Sequence, residues 1–313
     1  MRIDPQIAAL RGEPALQRRA QSSMLAAKAS WQADAGAAAV LGENRLYGKG
    51  RPLEQLAELS TLVRDLQSAS NFVQLWSDNF TTAVQESPLG LAPFGHSYAP
   101  GLATMRLAAS GHAVISVLVY EEIDETSPVT SAQFVDREQI EIVLAGTAQA
   151  TICQLRGGEP GPVATRDMAL EPGVTLTSSG PQRTRQIRQV KGSLAILQLS
   201  RAVPNPQPSR EIRLADGALI RQSCGDKRVS QDEMALALLG AMGRRDAAPL
   251  IAAMSREGPS HLRWEALRQA LHLDPKLGFD ALSHVAGSVR DELGGAAEAL
   301  RESLVQRYPQ LAQ

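Results

Sequence analysis

The chain has 313 residues, a formal net charge of -1, and 43% hydrophobic, 21% charged and 4% aromatic residues. A charge so near zero excludes a global electrostatic pull toward nucleic acid or an anionic membrane. So few aromatics argue against a stacking surface for bases or sugars. The length allows about two domains, and the apolar-to-charged balance is that of a globular protein. Cys153 and Cys224 are far apart and form no CxxC pair. They read as ordinary reduced thiols of a cytoplasmic protein, with no disulfide framework and no structural zinc. No apolar run approaches membrane-span length. Met1 to Pro5 lacks the basic stretch and apolar core of a secretory signal.

Residues 1–87 read as an N-terminal helical region. The spacing predicts a helix over 17–31; 33–40 is alanine-rich, and 42–50 reads as a loop. Leu53, Leu56, Leu59, Leu62, Val63 and Leu66 recur at three- and four-residue intervals, the stripe of one amphipathic helix. Phe72, Leu75, Trp76, Phe80 and Val84 mark another. Both stripes are expected to be core or dimer surface. From 88 to 203 the texture is that of short strands: 105–107, 112–120, 140–144, 148–155, 174–177, 183–190 and 194–199. Turns at Ser110-Gly111, Gly146, Gly157-Gly158, Gly180 and Lys191-Gly192 separate them, which predicts a sandwich or barrel.

Residues 204–229 form a linker with Pro204, Pro206 and Pro208, where alternate prolines forbid helix and central strand. A hairpin follows, with Ile212 and Leu214 opposite Leu219 and Ile220 across Asp216-Gly217. Residues 230–313 read as helical, over 234–242, 247–256, 260–271, 275–287 and 291–307. Ser230 and Glu233 have capping-box spacing. Asp274 before Pro275 fits an N-cap followed by proline at the first helical position.

The run Gln139-Ile140-Glu141-Ile142-Val143-Leu144-Ala145-Gly146, then a second strand, then Leu170-Glu171-Pro172-Gly173 and more strand, resembles the cupin superfamily of small β-barrels. In that resemblance Gly146 is the glycine that ends the first motif, and Gln139 stands where the family has a glutamate ligand. The two histidine positions of that motif fall at Gln133 and Val135, or one residue earlier at Ala132 and Phe134. Gly180 matches the internal glycine of the second motif, which puts Arg183 at its histidine. All four expected ligands are absent. Imidazole and carboxylate hold iron, manganese, zinc or nickel in such sites, and a guanidinium has no lone pair to offer. The resemblance therefore implies a barrel without metal or other cofactor at the usual place, and a homodimer, since cupins commonly pair through their barrels. The run from Leu262 to Leu271 resembles the first helix of a HEAT-type repeat, with 247–254 and 279–285 as second helices of such pairs. The expected class is α+β: a cupin-like β-barrel or sandwich flanked by an N-terminal helical region and a C-terminal HEAT-like bundle.

Parity raises a conflict. Ile140, Ile142 and Leu144 alternate with Gln139, Glu141 and Val143. If the isoleucines fill the barrel, Gln139 points out, whereas a former ligand position should point in. Either the register is off by one or the strand is covered on both faces.

Arg183, Arg185 and Ile187 share one strand face. With Gln139 and Glu141 the arginines form the candidate binding set for a small carboxylate or phosphate, because each guanidinium offers a planar fork of donors; the alternative is an edge strand with its arginines in solvent. His96, His112 and Glu141 are the alternative candidates for a relocated metal. His261, His272 and His284 lie on predicted helices without HxxxH spacing and read as structural or solvated. Cys153, inside an apolar strand, reads as packing. The arginines of the C-terminal region alternate with acids, a solvated face rather than a nucleic-acid surface. No GxSxG, P-loop, GxGxxG or HExxH run occurs. Two functions follow: a non-enzymatic ligand-binding and dimerisation module with a helical protein-interaction domain, in a regulatory or accessory role; or a cupin-type dioxygenase, isomerase or lyase with relocated ligands.

Overall fold

A computed structural model describes residues 14–88, 90–124, 129–155, 162–204, 206–288 and 291–312. The turn expected at Gly157-Gly158 and the Met1–Pro5 segment lie outside them. The chain divides into two compact units, one ending at Ser223 and one beginning at Cys224. No described helix is long and apolar enough to cross a membrane. Helices and antiparallel sheet together give an α+β fold.

The first unit opens with α1 (Pro14–Ala33) and α2 (Ala35–Gly48), then a 3-10 turn (Leu53–Gln55), α3 (Ala57–Leu62) and α4 (Leu66–Glu86). The loop expected over 42–50 is helical as far as Gly48. Asp34 accepts hydrogen bonds from the Gly36 and Ala37 amides as its N-cap, and Val40, Leu41, Asn44 and Tyr47 bury one face. The single helix expected over 53–66 is split, because Asp65 caps α4 through the Ser68 amide and leaves Leu66 to the next helix. Its leucines are nonetheless core: Leu56, Leu59, Leu62 and Val63 are buried. Val84 is exposed, and Ala83 takes its place in the packing.

The sheet is built from β1 (Gly95–Ala99), β2 (Leu102–Ser110), β3 (Ala113–Tyr120), β4 (Ile123–Asp124), β6 (Arg137–Gln154), β7 (Ala164–Leu170), β8 (Thr175–Ser179) and β9 (Arg183–Ala202), in the order β1-β2-β3-β9-β6-β7. β4 pairs with β9 and β8 with β6. β5 (Ser131–Phe134), β10 (Ser209–Arg213) and β11 (Leu219–Ser223) make a second sheet, β11-β10-β5. The predicted hairpin is present, with Ile212 opposite Leu219.

Four expected strands are two long ones. β6 runs through Gly146 and β9 through Gly192, so these glycines are bends inside strands rather than turns between them. Gly146 has φ 85°, and a Cβ there would fall 1.9 Å from the Ser193 carbonyl oxygen. Only glycine permits both the backbone angle and that approach. Bent there, β6 and β9 pair with each other along both halves. The folded-over sheet encloses Leu118, Val143, Ala150, Ile152, Leu170, Leu176, Val190, Leu194 and Ile196.

The outer face of the same sheet is buried as well. Leu107, Ile115, Val117, Ile142, Leu197 and Leu199 pack with Met24, Trp31, Tyr47, Leu59 and Phe72 of the helices. Rings from α1, α4 and the β1 approach lock the layer edge to face, with Trp31–Phe72 centroids 5.5 Å apart and Phe80–Phe94 5.0 Å. The Tyr47 hydroxyl donates to Glu138, which also takes Arg201, tying α2 to the sheet. Burial first, then the Glu138 hydrogen bond, pushes the Tyr47 phenol above its ordinary value. The parity conflict is thereby resolved: the strand is covered on both faces. Ile140, Ile142 and Leu144 meet the helices, and Gln139, Glu141 and Val143 point inward.

The second unit contains α5 (Lys227–Ala241), a 3-10 turn (Arg245–Ala247), α6 (Ala248–Met254), α7 (Ser260–Leu273), α8 (Pro275–Ala286) and α9 (Gly294–Arg307). α5 starts earlier than the capping box implies. Asp226, not Ser230, is its N-cap, through the Arg228 amide. Asp274 does cap α8, accepting from Lys276 and Leu277 at 3.1 Å each. α9 starts at Gly294 rather than 291, because Asp291 is held in the preceding turn by the Leu293 amide and Arg263. Two adjoining clusters form the core, one around Leu236, Ile251 and Ala266, the other around Leu267, Leu282, Val285 and Ala297.

Candidate functional site

Three adjacent strands set a polar row on the inner face of the sheet. Ser116 on β3 pairs with Gln198 on β9, which pairs with Glu141 on β6. Glu141 is 2% exposed. From the other half of β9, Arg185 reaches its carboxylate with two parallel hydrogen bonds, Nε to Oε2 and Nη2 to Oε1, each 2.5 Å. The Arg185 Nη1 donates to the Tyr120 hydroxyl at 3.0 Å. Gln139 and Gln198 each donate a side-chain amide to Glu141 Oε1, at 2.7 and 2.6 Å. A bidentate guanidinium–carboxylate pair with both charges desolvated needs further hydrogen bonds to its remaining lone pairs and protons, and here the two amides and the phenol supply three of them. Burial by itself lowers the Arg185 guanidinium; the charge and hydrogen bonds of Glu141, with Tyr120, outweigh it and raise it above its ordinary value.

Of the candidate ligand set, Gln139 and Arg185 thus both meet Glu141. Arg183 stands apart at the start of β9, opposite Gln154, with no ion pair to a described residue. Tyr120 and Gln198 complete the network without having been singled out; the signal for Gln198 is a lone amide within the apolar run Leu197-Gln198-Leu199. Ala132 and Phe134 lie on β5 in a small core with Cys153, Val163 and Ile212, while Gln133 lines a polar cavity with Ser131, Gln186 and Glu211. His96, exposed on β1, has its Nδ1 3.0 Å from the Phe94 carbonyl oxygen. His112 is exposed beside the β2–β3 turn. Neither joins Glu141 in a group of ligating atoms close enough to hold an ion. Among the described residues one such group exists: Cys224, Glu233 and His261 of the second unit.

A second polar feature lies on the helical side of the sheet. A cavity of about 440 Å3 is lined by Lys28 and Gln32 of α1, Asn44 and Arg45 of α2, and Gly95 and Arg106 of β1 and β2. It has three cations and no carboxylate in its lining. Lys28 donates to the Pro93 carbonyl and lies 5.0 Å from the centre of the Phe94 ring. Arg106 lies across Gly95, where an added Cβ would fall 2.5 Å from its Nη2. None of the three cations pairs with a described carboxylate. Asn44 is 1% exposed, and its Oδ1 has no hydrogen-bond partner.

No protein-family model matches the chain, and no curated protein matches it significantly. Solved structures do resemble it. A cupin-superfamily protein from Desulfitobacterium hafniense is 18% identical and matches over 34% of this chain and 83% of its own, with a TM-score of 0.24. A sugar phosphate isomerase of the cupin superfamily from Silicibacter pomeroyi is 11% identical over 40% of this chain and 85% of its own, TM-score 0.26. The cupin domain of Drosophila melanogaster CENP-C is 11% identical over 34% and 74%, TM-score 0.27. These neighbours are cupins. The likeness covers between 34% and 40% of this chain.

Proposed function

We propose that this chain is a non-catalytic, cupin-like accessory module that binds a small anion, pairs with a second copy of itself and contacts a protein partner through its C-terminal helices. The observation that carries the reading is the Glu141–Arg185 pair. Gln139, Glu141 and Arg185 set a charge-compensated, hydrogen-bonded network into the inner face. That chemistry ties β6 to β9 and engages the Glu141 carboxylate with four hydrogen bonds, which supports a structural rather than a metal-binding role for it.

The cavity of Lys28, Arg45 and Arg106 supports anion binding better than Arg183 and Arg185, because its cations are uncompensated and Arg185 is neutralised. A carboxylate or phosphate there would meet two guanidinium forks and one ammonium. Asn44 Oδ1 needs a donor, so a ligand that also carries a hydroxyl fits better than a bare ion. Pairing with a second copy is supported by the exposed edge strand β11, with Leu219 and Ile220 about half exposed. Met234 and Leu238 of α5 and Met242 at its C-cap recur every four residues, each about 60% exposed; this apolar stripe supports a protein contact in a HEAT-like stack.

Isothermal titration with inorganic phosphate and with citrate tests the reading. One site per chain is expected, weakened roughly tenfold by Arg106→Ala or Arg45→Ala, the loss of one charged hydrogen bond. Sedimentation should show a dimer that Ile220→Lys dissociates. Iron or manganese bound to the purified protein and lost in Glu141→Gln or His112→Ala would overturn the non-catalytic reading.

A further inference from the structure

Cys224 stands two residues before Asp226, the N-cap of α5; Glu233 lies on α5 and His261 is the second residue of α7. The His261 Nε2 is 3.7 Å from Cys224 Sγ and 3.4 Å from Glu233 Oε1. The three ligating atoms all lie within 4.8 Å of one another. A thiol–imidazole–carboxylate relay requires the acid and the thiol on opposite ring nitrogens. Here both face the same one, and a single Nε2 cannot serve them as donor and acceptor at once. The geometry is instead that of donors around a common point. With ordinary Zn–S and Zn–N lengths, a tetrahedron places sulfur about 3.6 Å from nitrogen and nitrogen about 3.4 Å from a carboxylate oxygen. The observed spacings lie close to both.

We propose that Cys224, Glu233 and His261 form a zinc site. The thiolate and imidazole select a borderline-soft cation over calcium or magnesium. Three protein ligands leave a fourth position for water, and the half-exposed His261 gives solvent access to it. Binding deprotonates the thiol, whose hydrogen bond to the Asp226 carbonyl is given up, and the proton passes to solvent. The ion would clip the entry to α5 onto the first turn of α7, so occupancy would stiffen that corner of the second unit. This site is independent of the sheet interior and of the anion cavity.

The test is titration of the reduced, metal-free full chain with Co2+, followed by displacement with Zn2+. One equivalent should produce a thiolate-to-cobalt absorption in the near ultraviolet together with tetrahedral visible bands, and zinc should abolish both. Cys224→Ser should remove the near-ultraviolet band, and His261→Ala and Glu233→Gln, which delete ligands, should weaken binding by at least the roughly 10–100-fold that an outer-shell partner is worth, while circular dichroism stays unchanged. Cys153→Ser should keep both band and affinity, because that thiol is fully buried elsewhere. Absence of a one-to-one complex, or a band that survives in Cys224→Ser or disappears in Cys153→Ser, would overturn the proposal. Metal retained in Cys224→Ser and lost in Glu141→Gln would place the ion in the sheet and count against the proposed function instead.

Discussion

Glu141→Gln removes the negative half of the ion pair and keeps the side-chain volume. The variant leaves the Arg185 guanidinium, 12% exposed as a side chain, with no counter-charge. Breaking one side of such a pair costs about 3–5 kcal/mol, because the remaining charge stays desolvated. For a unit of this size one kcal/mol corresponds to about 2–4 °C, so the melting temperature should fall by roughly 6–20 °C. Arg185→Met strands the carboxylate and should cost a similar amount. Together, Glu141→Gln and Arg185→Met remove both charges, and the amide oxygen left at position 141 can still accept from Gln139 and Gln198. The double variant should lose only about 1–3 kcal/mol, well under the sum of the singles. Urea unfolding followed by tryptophan fluorescence in a Trp264→Phe background isolates the first unit, where Trp31 and Trp76 report on the helix–sheet core. If the two single losses simply add in the double variant, or if Glu141→Gln costs under about 1 kcal/mol, the pair is not the closed internal network inferred above.

Gly146→Ala should destabilise the first unit severely and reduce soluble yield, since its Cβ would overlap the Ser193 carbonyl and φ is positive; a variant that melts with the wild type would refute the close approach. Asp274→Ala should cost about 1 kcal/mol by uncapping α8, with Asp274→Asn recovering most of it, measured by urea unfolding of the second unit. The Asp291 carboxyl is held below its ordinary value first by the hydrogen bond from Arg263 and then by the Leu293 amide. Its contribution is therefore present above the unfolded carboxylate range near pH 4 and lost as pH falls through the folded value. Acid titration followed by Trp264 fluorescence should show this loss in wild type and a flatter profile in Asp291→Asn.

Periodicity and turn chemistry determine the elements. The leucines from 53 to 63 and the aromatic stripe from 72 to 80 are core because spacing of three and four puts them on one face, and that is a local property. The Asp274-Pro275 start and the Asp216-Gly217 hairpin are equally local. Boundaries failed where a contact from elsewhere decided them. Gly146 and Gly192 look like turns in isolation, but a continuous strand bent against its neighbour uses the same residue. The alanine-rich stretch through Gly48 is helix because Asp34 caps it and the sheet buries one side.

On the cupin resemblance, residue types along the chain put Gln139 and Arg183, and no histidine, at the positions expected to carry metal ligands. Only tertiary structure decides what those side chains meet. Alternation shows that Ile142 and Glu141 face opposite ways, but not which face is inside, because both are covered: one by helices, the other by the folded-over sheet. Once the helices claim the isoleucines, Glu141 must be buried with a partner, and β9 supplies Arg185 from 44 residues away. The convergence of Cys224, Glu233 and His261 is of the same kind, since helix packing rather than sequence spacing brings a thiol within reach of an imidazole 37 residues on.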